Sequence, residues 1–160
     1  MRFSEKIYGN TVFALTACVL LPSFGNFIAS GTITPEMLAF SIPLLFYGYA
    51  FTIAVQIPDI IVDRKNNKKN FALVLGEQKS FFAILVLSIS ASLSFIAIPF
   101  LFKNIPDFNF FFLFSWIPLA VSSFNLLAKN KASLKTMVFV SSIMAFAAIC
   151  NAFLFWKFFW

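Results

Sequence analysis

Charged side chains divide this chain into five long uncharged stretches, at residues 7–35, 37–58, 80–102, 108–128 and 136–156. Each can supply the roughly 20 helical residues that cross a hydrocarbon layer of about 30 Å. The pattern predicts five transmembrane spans, at about 11–30, 37–57, 81–102, 108–128 and 137–156. Backbone polar groups in lipid must be satisfied within their own segment, so the spans are expected as helices and the fold class as all-α. A soluble domain is excluded by composition. The hydrophobic fraction is 61% and the charged fraction 11%, against about 45–50% and about 25% in soluble domains. Pro22, Pro43, Pro99 and Pro118 are expected to kink their helices. Ser88, Ser92 and Ser94, at helical spacing in the third span, fit helix–helix contacts.

The chain has no histidine, which excludes His-ligated metals and His-based triads. Cys18 and Cys150 sit in apolar runs without CxxC spacing and read as packing residues. The first span is too long for a secretory signal and is followed by four more.

Five spans put the termini on opposite sides. One side then holds Arg2, Lys6, Arg64, Lys65, Lys68, Lys69, Lys79, Lys129, Lys131 and Lys135, ten basic residues; the other holds Lys103 and Lys157. Cytoplasmic loops are the basic ones. The N-terminus and loop 58–80 are therefore expected in the cytoplasm and the C-terminus outside, in a bacterial plasma membrane. The net charge of +6 reads as a topological signal and not as a nucleic-acid surface.

Loop 58–80 stands apart from the other connections. It holds Asp59 and Asp63 at i,i+4, then Arg64, Lys65, Lys68 and Lys69. If the second span continues past the membrane edge, both carboxylates share a helix face one turn apart. Magnesium typically takes one or two carboxylates and completes its shell with water and phosphate oxygens. Lys68 and Lys69 could neutralise phosphate charge that the metal leaves exposed. Taken singly, the lysines and Arg64 also read as ordinary positive-inside residues. Acids at the end of an apolar span are costly and often functional. Tyr47, Tyr49 and Gln56 lead up to the acidic pair on the second span and are the candidates to line a cavity. Most of the 25 Phe residues read as packing mass.

The segment resembles the second aspartate-rich motif of the UbiA superfamily of intramembrane prenyltransferases, DxxxDxxxGxxT followed by an apolar stretch ending in Leu-Gly. Asp59 and Asp63 match the two aspartates, Arg64 a common basic residue, Lys69 the basic residue before the Thr, and Leu75-Gly76 the closing pair. Ile57-Pro58-Asp59-Ile60 looks most like the branch with lycopene elongases and homogentisate-type enzymes, and the opening Arg2-Phe3-Ser4-Glu5-Lys6 like the segment before that family's fifth helix. Asn67 stands where the family has Gly, and Asn70 where Thr or Ser is usual. The family's first aspartate-rich motif has no counterpart, since no other DxxxD or NDxxD occurs in the chain.

The resemblance implies a polytopic helix bundle whose five transmembrane helices correspond to the C-terminal half of a nine-helix prenyltransferase bundle. It implies transfer of a polyprenyl group from its diphosphate to a lipophilic or aromatic acceptor. Asp59 and Asp63 would bind Mg2+, and Lys68 and Lys69 the diphosphate; no catalytic residue is assigned. The lone motif implies an N-terminal half or partner chain, with the chain as a fragment or one part of a split enzyme. The alternatives are a non-catalytic membrane scaffold or binding protein derived from the family, or a small transporter-like membrane protein.

Overall fold

The computed structural model describes residues 8–102. The expected spans at 108–128 and 137–156, with Pro118, lie outside the described residues. Within them every regular element is helical and there is no strand. Three helices are long and apolar enough to cross a membrane: α1 (Gly9–Ser30), α2 (Pro35–Gln56) and α5 (Glu77–Leu101). Two short helices, α3 (Ile60–Lys65) and α4 (Phe71–Leu75), lie between α2 and α5.

Local chemistry sets these boundaries. α1 widens to a π-helix over Thr16–Leu20, and the Leu21 N–H donates to the Thr16 carbonyl. The widening lies immediately before Pro22, which has no N–H and whose ring would crowd the carbonyl four residues back in a regular helix. α1 ends as the Gly31 N–H donates to the Phe27 carbonyl at 2.8 Å. Three residues later the Thr34 hydroxyl accepts from the Met37 N–H at 3.3 Å. With Pro35 at the first helical position and Glu36 in the first turn, α2 starts at once. The reversal lays α2 back along α1.

The main contact is α2 against α5. Met37, Phe40, Phe95 and Ile98 are buried together at one end, with the Phe40 and Phe95 rings edge to face at 5.6 Å. Tyr47 and Ala91 are buried midway. At the other end Ala50, Ile53, Ala54, Ile57, Ile60, Ala72, Phe81 and Ile84 form one apolar cluster. That cluster includes Ile60 of α3 and Ala72 of α4, so the acidic segment is anchored in the core at both ends. Phe82, Leu93 and Phe100 point outward, as expected of side chains whose solvent is lipid. The buried Ser88 and Ser92 hydroxyls donate to carbonyls of their own helix, Ile84 and Ser88, at 2.8 and 2.9 Å. They bring small size to the interface, and Ser94 likewise turns back to the Ser90 carbonyl.

Two boundaries differ from the sequence expectation. The second span does not run on as one helix through Asp59. It stops at Gln56, and residues 57–59 form tight turns, with Asp59 N–H on the Gln56 carbonyl and Ile60 N–H on the Ile57 carbonyl. Pro58 is the cause: it cannot donate to the carbonyl of Ala54. The third long helix starts at Glu77 and not near 81. Gly76, at φ 78° and ψ 167°, separates it from α4, a conformation that is essentially reserved for glycine.

Candidate functional site

The acidic segment is a compact loop. Asp59 is the residue before α3, and the Asp63 N–H donates to its carbonyl at 2.8 Å. The two aspartates are thus one helical turn apart, although the helix that carries them is separate from α2. Asp59 is exposed, whereas the Asp63 side chain is only 13% exposed. Asp63 Oδ1 meets Lys68 Nζ at 3.1 Å. Its Oδ2 accepts from Asn70 Nδ2 at 2.6 Å. Arg64 and Lys69 are exposed on either side.

Asn67 and Asn70 give the loop its shape. Asn67 takes φ 53°, the left-handed conformation that turns the chain after α3. Asn tolerates that conformation better than most side chains do. The buried Asn70 has two roles. Its Oδ1 accepts from the Leu73 N–H at 2.7 Å and caps α4, while its Nδ2 holds Asp63. The amide divides between two atoms a task that a threonine would have to perform with one hydroxyl.

Gln56 lies at the neck of the loop. Its Oε1 accepts from Asn10 Nδ2 at 3.3 Å and from the Ala72 N–H at 3.4 Å; its Nε2 donates to Asn10 Oδ1 at 2.5 Å. Beside this amide pair is an open cavity of about 240 Å³. Phe13, Phe51 and Val55 line it together with Asn10, Thr52 and Gln56, and its surface is mostly apolar. Of the cavity candidates only Gln56 lines it; Tyr49 instead accepts from the Thr11 hydroxyl at 3.4 Å and stands edge-on to Phe71. Tyr47 is placed elsewhere, buried against α5 beside Ala91. The structure therefore brings Gln56 and Tyr49 to the loop neck, Asp63 and Lys68 into one ion pair, and leaves Asp59 and Lys69 open.

Asn10, Thr11 and Phe71 are contributors that sequence reasoning missed. The signal for Asn10 was its side-chain amide at the edge of an apolar span, a group that is costly unless paired. Nothing local identifies a partner 46 residues away.

For a divalent cation the loop offers two carboxylates, Asp59 and Asp63. Among the described residues no three His, Cys, Asp or Glu side chains come together. Magnesium can take as few as one or two protein carboxylates and complete its shell with water and phosphate oxygens, so this pair is compatible with it. Asp63 keeps lone pairs beyond the two that Lys68 and Asn70 engage.

No curated protein and no solved structure matches the chain. The model of the UbiA prenyltransferase family matches residues 1–143. With three apolar helices of spanning length among the described residues, this is an integral membrane protein. A match over most of its length shows that the chain belongs to the UbiA prenyltransferase family.

Proposed function

We propose that the protein is the C-terminal portion of a magnesium-dependent prenyl-transfer site, moving a polyprenyl group from its diphosphate to a lipophilic or aromatic acceptor. One observation carries this reading. Asp59 and Asp63 lie one turn apart at the short helix that follows an apolar spanning helix, with Lys68 and Lys69 in the same short loop. Asp59 and Asp63 would hold the metal. Magnesium, when bound, would offset the diphosphate charge and favour its departure.

The chain's own residues have distinct parts. Asn70 keeps the Asp63 carboxylate aimed by holding Oδ2. Lys68 pairs with Asp63 here and would move to a phosphate oxygen as substrate arrives. Lys69, already exposed, would meet the same charge. Breaking the allylic C–O bond leaves both electrons on the diphosphate oxygen, and the acceptor forms the new bond to the prenyl carbon and releases a proton. Cations fixed where that negative charge grows stabilise the transition state more than the ground state. Only one aspartate pair of this form occurs in the chain, so a complementary chain or segment is needed to supply the opposing acids. The loop faces the cytoplasm, on the basic side of a bacterial plasma membrane.

The test is prenyl transfer in membranes that also contain a complementary family half, with magnesium varied. Asp59→Ala or Asp63→Ala should each lower turnover about a hundred- to thousand-fold, a barrier increase of about 3–4 kcal/mol. Lys69→Ala should cost less, because Lys68 or water replaces part of its role. Lys129→Ala, between the expected fourth and fifth spans, should leave the rate unchanged. Equal activity in the parent and both aspartate variants would reduce the loop to an interfacial charge cluster.

A further inference from the structure

The loop between α2 and α4 is tied shut at its neck by two side chains of one helix face. Tyr49 and Gln56 are seven residues apart on α2, two turns along the same face. On one side they meet consecutive residues of α1. Asn10 exchanges two hydrogen bonds with Gln56, and Thr11 Oγ1 donates to the Tyr49 hydroxyl. On the other side they meet consecutive residues of α4. The Phe71 ring lies edge-on to Tyr49 at 5.8 Å, and the Ala72 N–H donates to Gln56 Oε1.

The chemistry of the Asn10–Gln56 pair makes this more than a contact. The N–H groups in the first turn of a helix have no partner within it. In α4, Asn70 Oδ1 takes the Leu73 N–H and Gln56 Oε1 takes the Ala72 N–H. A reciprocal amide pair could be reversed at both members and still bond to itself. Reversal here would point Gln56 Nε2 at the Ala72 N–H, donor against donor. The start of α4 thus selects the sense of the pair, and the pair holds the start of α4. Asn10 is only 4% exposed, so an amide left there without Gln56 would be costly.

We infer that Asn10, acting through Gln56, is a positioning residue for the acidic loop, and that α1 governs how firmly Asp59, Asp63 and Asn70 are held. Displacing α1 by the length of a hydrogen bond frees Gln56, which releases the Ala72 N–H beside the Asn70 cap and so loosens Asn70 and with it Asp63. The consequence for diphosphate binding rests on the function proposed above; the clamp itself does not.

Hydrogen exchange on the full chain in lipid nanodiscs tests the two separately. Without metal or diphosphate, Asn10→Leu and Gln56→Leu should each speed exchange at residues 71–75 about five- to tenfold, with the middle of α2 and α5 unchanged. The double variant should be no faster than the faster single one, because both remove the same tie. Asn10→Ser, which stays polar but is too short to reach Gln56, should behave like Asn10→Leu and covers the case in which leucine prevents folding. Asn10→Gln, which retains the amide, should restore most of the protection. Unchanged exchange at 71–75 in Asn10→Leu and Asn10→Ser would overturn the clamp, as would simple addition of the Asn10 and Gln56 effects. In a second arm, with the complementary half included in the nanodiscs, magnesium plus inorganic pyrophosphate should slow exchange at residues 59–70 of the parent. Asn10→Leu should need several-fold more pyrophosphate and Asn10→Gln should not. Absence of protection in the parent would sink the diphosphate reading, while the metal-free arm would still decide the clamp.

Discussion

Asn67 and Asn70 show what individual residues decide here. Both depart from the family pattern, and both are explained by backbone chemistry. Asn67 holds φ at 53°, so Asn67→Gly should leave stability nearly unchanged, whereas Asn67→Val should cost about 1–2 kcal/mol. Thermal unfolding in nanodiscs checks both, and an unaffected Val variant would contradict the assigned turn. Asn70→Ala removes the α4 cap and the Asp63 tie together. A lost cap alone costs about 1 kcal/mol. The same variant should also weaken magnesium-dependent diphosphate binding, because Asp63 loses a fixed donor; binding equal to the parent's would separate Asn70 from the site. The left-handed turn at Asn67 was legible only through the family resemblance, which has Gly at that position. The double role of Asn70 was not, because it depends on where the Asp63 carboxylate sits after the turn.

At the scale of elements, hydropathy located the three spanning helices of the described residues, and local punctuation decided where they end. The acidic pair at i,i+4 was legible, but its helix is separate from α2 because Pro58 interrupts the ladder. Spacing alone could not show whether residues 57–59 remain helical. Gly76, at φ 78°, is both the end of α4 and the start of α5. A Cβ there meets nothing, so the penalty for Gly76→Ala is conformational, about 1–3 kcal/mol. Gly48 is a packing glycine. A Cβ added to it would collide with Cys18 Sγ, while the next atoms, Cys18 Cβ at 3.7 Å and Ala14 Cβ at 3.8 Å, lie at ordinary contact distance. Gly48→Ala should therefore destabilise the α1–α2 packing by about 1–3 kcal/mol. Adding Cys18→Ala should recover most of that loss. Unfolding temperatures of the two single variants and the double variant give the coupling directly, and additive losses would show that the α1–α2 approach differs from this one.

For the whole molecule, the distribution of charge and the tertiary ties carry different information. The expected five-span topology, which puts ten basic residues on one side and two on the other, predicts that Asn66→Cys, in a variant without Cys18 and Cys150, is labelled by an impermeant thiol reagent only from the cytoplasmic face. Labelling only from outside would reverse the orientation. The Asn10–Gln56 and Tyr49–Phe71 ties were invisible in the sequence because each joins segments far apart along the chain, and a single sequence carries no record of such pairing. They matter to the whole because they connect the first spanning helix to the loop with the acidic pair. That loop's chemistry is most directly tested by binding of a polyprenyl diphosphate to the purified chain in nanodiscs, with its complementary half, at fixed lipid composition. Magnesium should be required, and Asp59→Ala and Asp63→Ala should each weaken binding at least about tenfold, one charge-assisted contact or more. Binding that survives chelation of magnesium and is the same in the parent and both variants would contradict the assignment of this loop as a magnesium–diphosphate site.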